Sequence, residues 1–323
     1  MVTLTLNDYT REYCEESGEL SIDKKNMISM LHDISLRDKT SFRIGGSARY
    51  FIEPRDVDVV RSSASFARDK NLPVLLLGRG SNLLISDTGW AGLVIGIGPS
   101  FAAIEWGGET VTAQAGAPLD SIVRESVMRG YVGLEELSGI PGSVGGALVM
   151  NAGAFSTAIG NVVERVSYFD FDTSRVVVAA KGELNFGYRS SILQHKKTIV
   201  LEAVMKLRPG NQEQLQVARR EIMERRKARQ PLNLPNCGSI FKHPPGNFAG
   251  ALIEKAGLKG FRYGNAEISE QHANFIVNLG GATAEEVRHI IVVAQRRVYE
   301  RSGVLLEPEV IFAGSFAEPL FQP

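Results

Sequence analysis

Between Ser138 and Ala154 the chain reads Ser-Gly-Ile-Pro-Gly-Ser-Val-Gly-Gly-Ala-Leu-Val-Met-Asn-Ala-Gly-Ala, and this stretch constrains the fold more than any other. Gly139, Gly142, Gly145, Gly146 and Gly153 fall within it, flanked by apolar positions. Glycine costs about 0.5–1 kcal/mol in regular structure, so propensity does not hold such a segment together. It persists where a backbone must lie close against another chain segment or a flat ligand. A second loop bears on the choice. The short apolar run Pro73–Leu77, expected as a strand, ends in Gly78-Arg79-Gly80-Ser81-Asn82-Leu83. Successive N–H groups without obstructing side chains, beside a hydroxyl and an amide, suit a phosphate or pyrophosphate. Alone, that loop reads equally well as a tight turn. Two such loops suggest an extended cofactor with a pyrophosphate and a ring system. The Gly78–Leu83 loop is not a Rossmann loop, because Leu83 replaces the third glycine and Leu83–Ser86 reads on as strand; the Gly-Lys of a P-loop is absent.

The rest of the chain is organised around these loops. Short apolar runs at 49–54, 93–98, 110–116, 165–171, 175–180 and 198–207 are expected strands. A helix is expected after Asp56 with Val57, Val60, Ala64 and Phe66/Ala67 on one face, and another over 118–129 with Pro118 in its first turn. Residues 208–236 mark a domain junction: a charged helix with a narrow stripe of Leu215, Ala218 and Ile222, stopped by Pro231-Leu232-Asn233-Leu234-Pro235. Thr283 with Glu286 forms a capping box ahead of Val287, Ile290, Ile291, Ala294 and Val298. The expected division is an N-terminal extension (1–34), a first domain (35–207, in subdomains 35–104 and 105–207), a C-terminal domain (208–312) and a tail (313–323). Strands and helices interleave without a regular βαβ repeat, which disfavours a doubly wound sheet.

Charge narrows the partners. Lys+Arg and Asp+Glu are equal at 36 each in 323 residues, against the basic excess of a nucleic-acid binder. No apolar run approaches the ~20 residues needed to span a bilayer, and the acidic start lacks a secretory layout. Cys14 and Cys237 are too few for a disulfide framework, and the five scattered histidines show no metal spacing. A soluble globular protein of a reducing compartment is expected, with a small molecule as partner and without nucleic acid, membrane or metal; the oligomeric state stays open, a monomer included.

Several longer motifs occur in order: Thr40-Ser41-Phe42-Arg43-Ile44-Gly45-Gly46, both glycine loops, Gly187-Tyr188-Arg189-Ser190-Ser191, the run from Cys237 to Gly260, His272–Asn278 and Leu306-Glu307-Pro308-Glu309-Val310. Together, over roughly residues 35–312, they resemble the UDP-N-acetylenolpyruvoylglucosamine reductase (UDP-N-acetylmuramate dehydrogenase) family. The resemblance implies an α+β chain: an FAD-binding fold of the vanillyl-alcohol-oxidase kind, in two α+β subdomains, plus an α+β substrate domain. It implies non-covalent FAD, NADPH as co-substrate and a UDP-sugar as substrate, reduced in peptidoglycan synthesis and so serving cell shape and division. The residues it offers FAD are Gly78, Arg79, Gly80, Ser81, Asn82, Leu83, Ile140, Pro141, Gly142, Ser143, Gly145, Gly146, Asn151 and Gly153. Arg226 or Arg229, on the charged helix, is expected to reach a phosphate of FAD, UDP or NADPH, and Tyr188, Lys242 and His243 to meet the substrate. The short stretch from Arg189 to Ser239 resembles the second type of the family, which lacks a tyrosine-bearing loop. Arg79 stands where small residues are commoner, and His243 where several relatives carry asparagine.

The chemistry so implied assigns three roles. Reducing an enolpyruvyl double bond places negative charge beside the substrate carboxylate, so cationic or donor groups are needed there, with an acid near the α-carbon. Arg189 offers a planar fork for the carboxylate. Glu309 is the second group, on condition that burial keeps it protonated, which its apolar flanks support. Glu307 points to the same face by strand alternation, so the choice of Glu309 comes from the resemblance. Ser239 is the implied proton donor, with Lys242 near enough to ease a transient alkoxide; Cys237 reads as a small buried residue. An FAD oxidase of the same fold with another substrate is the alternative, and it leaves the C-terminal motifs unexplained. A non-catalytic flavin-binding module would have lost Arg189, Ser239 or Glu309.

Overall fold

The computed structural model describes residues 19–23 and 28–323. The first unit is a five-stranded sheet ordered Glu19–Asp23, Ile28–Ser35, Ser47–Ile52, Trp90–Gly96, Val74–Leu77. The first three strands pair antiparallel and the last three parallel. Parallel strands need a crossover, supplied by helix α1 (Val57–Asp69). Asp56 caps it by accepting the Val59 N–H at 2.9 Å, and Val60, Ala64, Phe66 and Ala67 bury against Ile52, Leu93 and Ile95. The segment 1–34, expected as an irregular extension, differs where it is described. Ile28–Ser35 is an inner strand with Ile28, Met30 and Ile34 buried, so the sheet begins before residue 35. Residues 1–18 and 24–27, Cys14 among them, lie outside the described residues.

The second unit is an antiparallel sheet ordered Arg175–Ala180, Val163–Asp170, Thr198–Lys206, Thr110–Gln114, Ile104–Gly107. Helices α2 (Leu119–Met128) and α3 (Val144–Met150) share its core through Ile122, Val123, Val144 and Leu148. Pro118 is the N-cap of α2 rather than part of its first turn. α3 lies inside the glycine-rich stretch and is tolerated there because of Gly145. Its N–H donates to Ala115 O at 2.8 Å, and a Cβ would stand 2.9 Å from the Cβ of Ala115. Here the close approach is to the chain itself.

Helix α4 (Gln212–Arg229) leads into the third unit, burying only Leu215 and Ile222. That unit is a three-stranded sheet (Arg262–Tyr263, Ala266–Ile268, Ile276–Asn278) with helices α5 (Ala249–Lys255) and α6 (Ala284–Ser302). The Thr283/Glu286 capping box forms as expected, and Gly303, at φ 69°, closes α6. The third unit is fused to the first. Phe42, Ile44 and Leu84 belong to its core, and Ile311–Ala313 pairs parallel with Leu83–Ile85. Asp87 adds a polar seam by accepting the Ala284 and Glu285 N–H groups at 2.8 and 3.1 Å, at the positive end of α6. The architecture is α+β, as expected, and the second glycine loop's strand carries the chain end back to it.

Candidate active site

The two glycine loops face each other. Ser81 Oγ donates to Pro141 O at 3.1 Å, and a Cβ on Gly78 would lie 2.6 Å from Ser143 Oγ. Gly80, at φ +59°, allows no other residue: a Cβ there would stand 2.3 Å from Lys39 O, while its own carbonyl accepts the Ser41 N–H at 3.2 Å. The Thr40–Gly46 motif is therefore the floor under this loop. Among the described residues, the N–H groups of Arg79, Gly80, Ser81, Gly142 and Ser143 donate to no protein acceptor. Arg226 Nε, 3.1 Å from where a Cβ of Gly139 would be, is buried without a partner, as is Gln230 Oε1. Buried polar atoms are rarely left so. A row of unpaired donors over a floor that admits no side chain fits a cofactor with a pyrophosphate at its middle. Leu83 begins the strand below, Ile140 packs on the second unit's core, and Gly146 lies exposed on α3.

Arg189 sits on a tight turn in which Gly187 and Ser190 exchange main-chain hydrogen bonds at 3.0 and 3.2 Å. Its φ is 50°, a left-handed conformation unusual for arginine. The turn is held from outside. Asn151 Nδ2 donates to Gly187 O at 2.7 Å, and Gln194 Nε2 donates to Arg189 O at 3.0 Å. The guanidinium then reaches two acceptors, Glu309 Oε1 through Nε at 2.8 Å and Gly153 O through Nη2 at 2.7 Å. Gly153 thus contributes its carbonyl to the arginine.

Ile240–Lys242 and Glu307–Glu309 run side by side. Glu309 N–H donates to Ile240 O at 2.7 Å and Lys242 N–H to Glu307 O at 2.9 Å. Ser239 precedes the first of these rungs, half-buried, and among the described residues its hydroxyl has no hydrogen-bond partner. The two glutamates separate, contrary to simple alternation. Glu307, with a 70% exposed side chain, pairs with Lys242 at 2.5 Å, whereas Glu309, 16% exposed, pairs with Arg189. Residues 307–309 form a single isolated bridge at Pro308 and no regular strand, so simple alternation does not govern the pair. Lys242, expected beside Ser239, is directed to Glu307 instead. Burial pushes the Glu309 carboxyl above its ordinary 4.5, outweighing the opposing pull of the Arg189 charge and hydrogen bond.

The rim is completed by Tyr188 and His243. The His243 N–H donates to Tyr188 Oη at 3.1 Å, and the Tyr188 ring lies 5.2 Å from the Arg189 guanidinium carbon. Burial, then the Arg189 charge, lowers the His243 pKa below 6.5. Cys237 is buried in the third unit's core, and burial raises its thiol pKa, which makes it inert. Asn274 serves structure: its amide accepts the Phe241 N–H and donates to Phe241 O, at 3.0 and 2.8 Å. Sequence reasoning missed Gln194, Gln230 and the side-chain role of Asn82, which donates to Glu309 O at 3.1 Å. No local pattern marks them: Asn82 and Gln194 reach partners 227 and 45 positions away, and Gln230 is marked only by its unpartnered oxygen.

Residues 48–183 match the FAD binding domain family, and residues 230–313 match the family described as UDP-N-acetylenolpyruvoylglucosamine reductase, C-terminal domain. The chain is 42% identical to the UDP-N-acetylenolpyruvoylglucosamine reductase of Caldicellulosiruptor bescii, over 93% of this chain and 96% of that protein. It is 45% identical to UDP-N-acetylenolpyruvoylglucosamine reductase 2 of Symbiobacterium thermophilum, over 89% and 92%. Among solved structures, the UDP-N-acetylenolpyruvylglucosamine reductase of Thermus caldophilus superposes with a TM-score of 0.74 at 35% identity, covering 93% of this chain and all of that one.

Proposed function

The chain belongs to the UDP-N-acetylenolpyruvoylglucosamine reductase family, and on that premise we propose that Arg189, Glu309 and Ser239 carry its reaction. The reaction converts UDP-N-acetylglucosamine enolpyruvate to UDP-N-acetylmuramate, a step of peptidoglycan precursor synthesis. FAD, when bound, supplies the hydride for the double bond and draws it from NADPH. The main-chain donors of Arg79, Gly80, Ser81, Gly142 and Ser143 hold its pyrophosphate, with Arg226 as the nearby cation. An oxidase reading remains less well supported, because it gives no account of residues 230–313.

The proposed chemistry follows from hydrogen-bond capacity. A guanidinium has five N–H groups; two of Arg189's are engaged by Glu309 and Gly153, which leaves three to meet a substrate carboxylate. That carboxylate, arriving as an anion, raises the Glu309 pKa further, since like charges disfavour ionisation. Protonated Glu309 then donates to the enolate-like charge that Arg189 also stabilises, in a site of low dielectric where both effects are strong. Ser239, with its hydroxyl unengaged, protonates the α-carbon; only a base as strong as an enolate draws a proton from it. Tyr188, Lys242 and His243 edge the entrance and bind the sugar nucleotide. Acting on soluble precursors with a reduced, buried Cys237, the enzyme works in the cytoplasm and serves cell shape and division.

The observation that carries this reading is the half-buried Arg189–Glu309 pair standing beside donor-lined glycine loops. The test is anaerobic. NADPH should bleach the bound flavin, and UDP-N-acetylglucosamine enolpyruvate should restore its colour. UDP-N-acetylglucosamine alone should not. Failure of the enolpyruvyl compound to reoxidise the flavin would end the proposal.

A further inference from the structure

Both members of the Arg189–Glu309 pair are held by an asparagine that belongs to a glycine loop. Asn82, in the loop after Leu77, donates from Nδ2 to Glu309 O at 3.1 Å, and its own carbonyl accepts the Ile311 N–H at 3.0 Å. Asn151, at the end of α3, has φ 44° and gives both halves of its amide to main chain: Nδ2 to Gly187 O at 2.7 Å, Oδ1 from Gly160 N–H at 3.0 Å. Gly187 opens the two-residue turn that presents Arg189. Asn151 is 7% exposed. With these bonds made, the Asn151 amide has its carbonyl and one N–H engaged within the protein.

We propose that the side chains of Asn82 and Asn151 are positioning residues for Glu309 and Arg189, and that they do not serve as cofactor ligands. The arrangement rests on the functional reading above and extends it. Each cofactor loop is tied by one side chain to one half of the carboxylate-binding pair. The loops that hold the pyrophosphate therefore also set the spacing of the groups that hold the substrate. An error of about 1 Å in such spacing costs on the order of 100-fold in rate.

The test separates holding FAD from placing the pair. Asn82→Leu removes the donor at similar volume, and Asn151→Gly removes the amide while keeping a residue that adopts positive φ without strain. Titration of each apoprotein with FAD, followed by flavin fluorescence, should give the parental dissociation constant, and NADPH should reduce both at the parental rate. Reoxidation by the enolpyruvyl sugar nucleotide should fall on the order of 100-fold. In Asn82→Leu the alkaline limb of that half-reaction should move to lower pH, as Glu309 gains water. Asn82→Ser, which keeps a short donor, should recover part of the rate. Weakened FAD binding with both half-reactions slowed together would make the asparagines cofactor ligands, and unchanged reoxidation would remove them from the pair; either overturns the proposal. Insolubility of all three variants would show a purely structural requirement and overturn it too. If the parental protein is not reoxidised by the sugar nucleotide, the functional reading fails, while the FAD titration still decides whether the asparagines hold the cofactor.

Discussion

Two arginine–carboxylate pairs stand on either side of the glycine-rich stretch, and they settle differently. Asp120 of α2 receives Arg219 Nη1 and Nη2 at 2.9 and 2.8 Å and the Gly139 N–H at 2.8 Å. Glu309 receives Arg189 Nε alone as a side-chain donor, at 2.8 Å. Burial pushes both carboxyls up. At Asp120 the hydrogen bonds from Arg219 and Gly139 outweigh burial and hold the pKa below 3.8; at Glu309 burial prevails and holds it above 4.5. Three donors against one decides the sign, helped by the greater burial of Glu309. A saturated pair is a latch that fixes α4 to α2 and anchors Gly139. An unsaturated one keeps capacity for a ligand, and its carboxyl is poised to change charge.

The largest expected effect asks whether the poised pair can finish the reaction without its acid. Ser239→Ala should slow reoxidation of the flavin by the sugar nucleotide by up to about 10⁴-fold, the upper range for general acid catalysis, while NADPH still reduces the flavin. Stopped-flow absorbance reads both halves. Equal loss in both would give Ser239 a binding or folding role.

The next effect sets the pairs against each other directly. Arg189→Ala removes the proposed charge stabiliser and should cost about 10²–10³-fold in the same half-reaction. Arg219→Ala should act mainly on melting, losing about 1–3 kcal/mol as the hydrogen bonds to a partly exposed carboxylate are lost. If Arg219→Ala harms reoxidation as much as Arg189→Ala, the distinction between latch and poised pair is wrong.

The contrast between these pairs was only half legible in the sequence. Helix α1 and its Asp56 cap, the Thr283 capping box and the strands expected at 175–180 and 198–207 could be read locally, because periodicity and caps are local signals. Arg189, Glu309 and Ser239 came from the family resemblance, and nothing in their own neighbourhoods gave their partners. Arg219 carries no signal of its own within the charged helix, since its match to Asp120 lies 99 positions away. The strand Ile28–Ser35 falls within a segment, 1–34, whose polar composition reads as an irregular extension, and its buried face appears only in the sheet. The long-range pairings also hid the seam between units, where Ile311–Ala313 meets Leu83–Ile85.

Acidity sharpens the comparison with smaller numbers. If Glu309 acts protonated, reoxidation is fastest below its raised pKa and falls as pH rises through it. Glu309→Gln keeps a donor and cannot ionise, so it should flatten that alkaline limb. A limb that survives the substitution belongs to another group.

The smallest effect lies in the pH dependence of stability, where the pairs must have opposite signs. Asp120 titrates lower in the folded chain than in the unfolded one. Between those two values the unfolded chain binds the extra proton, so stability rises with pH; the Asp120 contribution is complete above 3.8 and is lost as pH falls through the folded value. Glu309 titrates higher when folded. From 4.5 up to its raised value the folded chain binds the extra proton, so its contribution to stability falls as pH rises. Urea midpoints measured across this range should therefore lose an acid-side slope in Asp120→Asn and an opposing slope in Glu309→Gln. Because Asp120 is partly exposed, its share amounts to about 1 kcal/mol or less. Slopes of the same sign in the two variants would mean that burial does not decide the charge of Glu309, and the poised state of the pair would have no physical basis.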